Sequence, residues 1–102
     1  MKNFGKLLRE AQKIQAEMAR LQEEMQNARF EGTAGGGAVR AVVSGAQEPL
    51  ELKIEPEVLE DADPEMLEDL IITAFREALT KAREHMEEEM KKITGGGMPG
   101  LF

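Results

Sequence analysis

Apolar residues in the first quarter of the chain recur with helical regularity. Phe4, Leu7, Ala11, Ile14, Met18, Leu21, Met25 and Ala28 are spaced alternately by three and four. This is the seam of a heptad pattern sustained over nearly four repeats. With Asn3 as N-cap, the spacing predicts a helix over 3–28. Such a helix is about 39 Å long. A compact domain of this length has a radius of gyration of about 13 Å. The helix must therefore project from the body or lie along an equally long partner.

The period then changes from helical to alternating. In "RFEGTA" one face carries Phe30, Gly32 and Ala34; in "AVRAVVS" one face carries Val39, Ala41 and Val43. In "EPLELKIE", Leu50, Leu52 and Ile54 alternate with charged residues, the pattern of a half-buried strand. Strands are predicted over 29–34, 38–44 and 49–54, with a turn at Ser44-Gly45-Ala46-Gln47. Together they form an antiparallel meander with one covered face.

The helical period returns in "DADPEMLEDL". Asp63 is placed to cap, Pro64 to occupy the first helical position, and Glu65, Glu68 and Asp69 to favour the positive end of the dipole. Leu67, Leu70, Ile71, Ala74, Phe75, Ala78, Leu79 and Ala82 give an apolar face broad enough to cover a sheet. The helix is predicted over 64–93, with Lys91 and Lys92 in its last turn and Gly95 just beyond it. The architecture is α+β: two layers in the order α-β-β-β-α, with a three-stranded antiparallel sheet and long projecting helices. Residues 1–94 form a single domain and 95–102 a flexible Gly/Pro-rich tail.

Charge changes the picture by its distribution. The net charge of −7 argues against strong nonspecific nucleic-acid binding but leaves room for a local basic patch. Residues 1–28 are net +1, residues 29–54 neutral and residues 55–102 net −8. On the first helix Lys2, Lys6, Arg9 and Lys13 form a basic stripe at spacings of four, three and four. Lys6, Lys13 and Arg20 each have a glutamate four residues on, so part of this charge is internally paired. The stripe reads either as a solvated face or as a surface for phosphates.

Enzyme chemistry finds little support. The chain has no Cys, one His and no Tyr. Ser44 sits at a turn edge and His85 in an acidic helical run, which does not make a nucleophile and base. His85 with Glu88 or Glu89 has helical ligand spacing but too few ligands for a metal site. No cofactor or small-molecule substrate is expected. No apolar run is long enough to span a membrane, and the N-terminus lacks the apolar core of a signal peptide. The cytoplasm is the expected location.

"TAGGGAV" invites comparison with phosphate-binding loops. Gly32 and Gly37 have the separation of such a loop, but Ala38-Val39 stand where Lys and Ser or Thr are needed. The segment after the glycines is a strand rather than a helix. They are therefore read as a hairpin connection needing positive φ.

Taken in order, "MKNFGKLLREAQKIQAEM", "FEGTAGGGAV", "LKIEP", "MLEDLIITAFREAL" and "GGGMPGLF" resemble the YbaB/EbfC family of bacterial nucleoid-associated proteins. The resemblance covers essentially the whole chain. It implies a homodimer whose helices project like tweezers, double-stranded DNA as partner, a location at the nucleoid, and roles in nucleoid organisation and gene regulation. The net charge of −7 doubles to −14 in a dimer, and Glu87-Glu88-Glu89 repel phosphate. By charge alone, the DNA-contacting residues are Lys2, Lys6, Arg9 and Lys13, with Arg20 and Arg29 further along; Arg76, Lys81 and Arg83 on the C-terminal helix add to them. No aromatic stacking platform or helix-turn-helix is visible, so contacts should be to the backbone and salt-sensitive. Two long helices flanking a hairpin sheet are also the layout of prefoldin-like holdases, which leaves a helical chaperone or protein-interaction module as the alternative.

Overall fold

The structure, a computed structural model, describes residues 3–95. The element order is α1 (Phe4–Asn27), β1 (Arg29–Ala34), β2 (Val39–Ser44), β3 (Pro49–Ile54), α2 (Pro56–Asp61) and α3 (Pro64–Ile93). The expected layers and strand order are present, with one short helix, α2, inserted before α3. Its six residues are too few for a helical period to stand out, and Pro56 at its start reads equally as a turn.

The sheet is a meander in the order β1-β2-β3, antiparallel throughout. Gly35, Gly36 and Gly37 turn the first hairpin at φ of 63°, 68° and 95°, a region that residues with a Cβ avoid. In the second hairpin the Ser44 hydroxyl oxygen accepts from the amides of Ala46 and Glu48, both at 3.2 Å. The register slips between Val42 and Val43, leaving Leu50 as the extra residue of a bulge.

The core is a thin seam between the sheet and α3. Val39, Ala41 and Val43 face Ala74, Ala78 and Ala82, and all six are fully buried. Alanines four apart make a flat ridge, so the α3 backbone lies close on β1. Gly32 completes this fit: a methyl there would sit on the Ala74 carbonyl oxygen and 2.5 Å from the Ala78 nitrogen. Along the same border Lys81 Nζ donates to the Glu31 carbonyl at 2.9 Å, and the Thr33 amide donates to Glu77 Oε1 at 3.3 Å.

α3 begins as the sequence predicts. Asp63 Oδ1 accepts from the Met66 amide at 2.8 Å, with Pro64 in the first turn. Beyond its end, Gly95 takes φ of 70°; the rest of the expected tail, 96–102, lies outside the described residues. α1 starts differently. Asn3 makes no side-chain capping bond and has near-helical dihedrals (φ −96°, ψ −2°); its carbonyl simply accepts from the Leu7 amide. The Asn3 cap expected from the sequence is not formed.

The covered face also differs from expectation. α3 lies over β1 and β2, and β3 is left open. Leu50 and Leu52 remain 45% and 42% exposed, although they alternate as a buried strand should. The pattern is correct, but nothing within the described residues covers it.

α3 runs back antiparallel to α1, and the two meet where Glu17, Leu21 and Glu24 approach Glu89, Lys92 and Ile93. From that contact about 26 Å of α1 continues alone, while α3 extends about 44 Å the other way. These lengths account for the long dimension of 71 Å in an outline of 71 × 25 × 17 Å. The radius of gyration is 19.5 Å, well above the value for a compact chain.

Candidate nucleic-acid interface

The projecting half of α1 is the first place to look for a site. Its heptad seam is covered at one end only. Leu21 and Met25 are buried, but Phe4 and Leu7 are 68% and 62% exposed. Gly45 fixes the covered end: a methyl there would be 2.5 Å from the Met25 carbonyl oxygen. The Gly45 amide also donates to the Ala28 carbonyl at 3.2 Å. This glycine allows α1 to meet the second hairpin and sets the direction in which the arm leaves the body.

Lys6, Arg9, Lys13 and Arg20 share one side of α1, the side opposite the apolar seam. Because the seam turns toward α3, the basic stripe turns outward. Of the three cation–glutamate pairs read from the sequence, Arg20–Glu24 closes at 3.7 Å. Among the described residues, Lys6, Arg9 and Lys13 have no carboxylate at salt-bridging distance. Three cations on an exposed arm are therefore left for a ligand. The first turn of α1 holds no acidic residue, so the positive end of the helix dipole adds to their field. Lys2 lies outside the described residues.

The remaining predicted residues are not gathered with this stripe. Arg29 is at the start of β1 and pairs with Glu51 across the outer face of the sheet. Lys81 is taken up by the Glu31 carbonyl and by Glu77 at 3.5 Å. Arg76 and Arg83 are exposed on α3. The outer face of the sheet also brings Arg40 beside Lys53, with Arg40 3.4 Å from Glu31. Spacing along the chain does not group these two cations. The signal for them is register, because only a correct β2–β3 pairing aligns residues thirteen apart.

Little else on the surface suggests chemistry. Among the described residues no group of three or more His, Asp or Glu side chains could hold a metal. His85 packs its ring against Phe30, with centroids 5.5 Å apart, which places the lone histidine in a packing role. No described helix is long and apolar enough to cross a membrane.

Comparison with known proteins gives this arrangement its context. The sequence profile of the YbaB/EbfC DNA-binding family matches residues 1–98. The chain is 52% identical over 100 residues to a protein of Clostridium acetobutylicum named a nucleoid-associated protein, covering 97% of this chain and 89% of that one. A Clostridium perfringens protein of the same name is also 52% identical, over 100% of this chain and 92% of its own. Among solved structures, an uncharacterized protein of Helicobacter pylori has the same fold, with a TM-score of 0.71 at 22% identity, over 83% of this chain and 89% of that one.

Proposed function

The chain belongs to the YbaB/EbfC DNA-binding family, and from that premise we propose that it binds duplex DNA as a homodimer, chiefly through the phosphate backbone. The outward stripe Lys6-Arg9-Lys13, exposed and unpaired within the described residues, carries this reading. Lys2 extends it in sequence, and Arg20 and Arg29 are secondary contacts already sharing their charge with carboxylates. Contacts of this kind position a protein on DNA and read little sequence. Relatives named nucleoid-associated proteins support a place on the nucleoid, with roles in its organisation and in gene regulation.

The homodimer has its own support. The accessible surface is 7688 Å², against about 5,700 Å² for a compact monomer of this mass. Part of the excess is the open face of β3. Leu50 and Leu52, 45% and 42% exposed, form its floor. A second copy seated there would complete the alternation that one chain leaves unsatisfied. Two arms would then project from one body, as in a pair of tweezers.

A salt titration tests the proposal. If about 4–6 phosphates are neutralised, log affinity for a duplex should fall with log salt at a slope of roughly −4 to −5. The double substitution Lys6→Glu with Arg9→Glu should abolish the complex. A wild-type protein that forms no complex even at low salt would overturn the reading, and a solution mass of one chain would remove the dimer. The exposed seam of the arm favours a second reading, a holdase that grips unfolded chains. In that case suppression of client aggregation survives the same double substitution.

A further inference from the structure

The two ends of the molecule complement each other, and a single chain cannot bring them together. One end is the tip of α1, where Phe4, Leu7 and Leu8 are exposed and flanked by Lys6 and Arg9. The other is the corner where α2, the glycine hairpin and the start of α3 meet. A groove of about 340 Å³ lies there, lined by Gly35, Ala38, Val58, Ala62, Met66 and Leu70. Glu57 and Asp61 rim it. Across Met66 and Leu70 it opens into a second depression bordered by Asp63, Glu65 and Asp69. Leu59 and Met66 are exposed at this corner.

The charges match the apolar surfaces. Residues 55–69 contain eight carboxylates, and neither Lys nor Arg occurs between Lys53 and Arg76. Among the described residues the arm carries three cations with no carboxylate at salt-bridging distance, and it has the positive end of a helix dipole. Topology puts these features at opposite ends. β1 leads away from α1, β2 returns, β3 leads away again into α2, and α3 comes back to meet α1 at Leu21. Only about 26 Å of α1 is free on a molecule 71 Å long, so no arm reaches its own groove.

We propose that the acidic groove at the α2–α3 corner receives the arm of a second copy, joining molecules head to tail. Phe4, Leu7 and Leu8 fill the apolar floor. Lys6 and Arg9 lie on the far side of the helix, and their long aliphatic stems carry the charges around it to the carboxylates of the rim. The contact is heterologous, so it propagates into open chains rather than closing on a pair. It is distinct from the open face of β3, and it does not depend on DNA binding. The buried surface is small, and the association is correspondingly weak and salt-sensitive. Duplex phosphates and the acidic rim want the same cations, so DNA releases the chains as it binds the arm.

Sedimentation velocity over a concentration series, at about 50 mM and about 500 mM NaCl where the screening length differs severalfold, tests this directly. The wild type should form species larger than its basic unit at low salt and lose them at high salt. Glu57→Lys with Asp61→Lys should abolish those species, as should Lys6→Glu with Arg9→Glu. All four residues are exposed, and a thermal melt checks that each variant is folded. The quadruple charge swap should restore low-salt assembly. Absence of any larger wild-type species at low salt would overturn the proposal, as would failure of the swap to restore them. Assembly that survives Glu57→Lys with Asp61→Lys but is lost on Leu52→Asp would seat the arm on β3 and also overturn it. The DNA reading is judged separately: the groove variant must still bind duplex at least as tightly as wild type. If the arm variant loses assembly but keeps DNA, the DNA reading fails and the head-to-tail contact stands.

Discussion

The two halves of α1 follow one pattern and meet two fates. Leu21 and Met25 continue the spacing set by Phe4, Leu7, Ala11 and Ile14 without a break. The second pair is buried against α3 and the second hairpin, while the first group stands in solvent. The seven-residue period reports that a face expects cover, and it says nothing about who supplies it. Within one chain the cover ends where α3 ends. The same holds for β3, whose alternation is that of a half-buried strand although α3 passes it by. An uncovered patterned face is therefore the mark of an interface rather than a failure of the pattern.

Glycine substitutions should break the comparison most sharply. At Gly32 a methyl would collide with backbone atoms of α3, Ala78 N at 2.5 Å among them. Backbone on both sides cannot yield without lifting α3 from β1. Gly32→Ala should cost about 3 kcal/mol or more, and the melting temperature should fall by more than about 10 °C. At Gly5, in the arm, an added methyl would have nothing within 4 Å. Gly5→Ala should leave the melt unchanged or raise it slightly, since alanine favours helix by up to about 1 kcal/mol. Equal losses at both sites would mean that the arm packs closely in solution.

Leucine truncations sharpen the same contrast at lower cost. Leu21 is 4% exposed, and Leu21→Ala should lose about 2–4 kcal/mol in chemical denaturation. Leu7→Ala should lose less than about 0.5 kcal/mol at high dilution. If Leu7→Ala destabilises only at high protein concentration, the cover of the arm comes from another molecule. If it destabilises at every concentration, the cover lies within the chain and the contrast between the two halves disappears.

These contrasts mark how much of the molecule is legible in its sequence. Periodicity locates both long helices and all three strands within one residue at each end, because each has several turns or alternations to reveal its period. It misses α2, which is too short to show one. Residue type alone assigns a cap to Asn3, and the structure does not form it, because Asn3 is already near-helical and its side chain is not turned onto the helix amides. Charge spacing finds the stripe on α1 directly, since neighbours on one helix are fixed by spacing alone. It groups Arg29 and Lys81 with that stripe because it is blind to Glu51 and to the Glu31 carbonyl that reach them. Partners brought together by tertiary folding are invisible to local spacing, and the acidic groove is of the same kind. Its apolar floor comes from three separate segments, none of which looks like a site by itself.

The smallest expected effect lies at the boundary between the covered and uncovered halves of α1. There Lys92 Nζ donates to Glu89 Oε2 at 2.7 Å, beside Glu17, Arg20 and Leu21. This hydrogen bond lowers the Glu89 pKa below its usual 4.5 and raises that of Lys92 above its usual 10.5. The signs fix the pH window. Glu89 contributes its stabilisation above about pH 4.5, and that contribution is lost as pH falls through the depressed value. Lys92 contributes below about pH 10.5 and loses its share as pH rises through the raised value. Across the neutral range the pair is constant. The groups are at the surface, so the effect is small and screened by salt. Glu89→Gln should melt slightly below wild type at neutral pH and low salt. That difference should close in acid and again at high salt. A difference that persists in acid would show that Glu89 acts through its packing at the α1–α3 contact, and the boundary would then be held by shape rather than by charge.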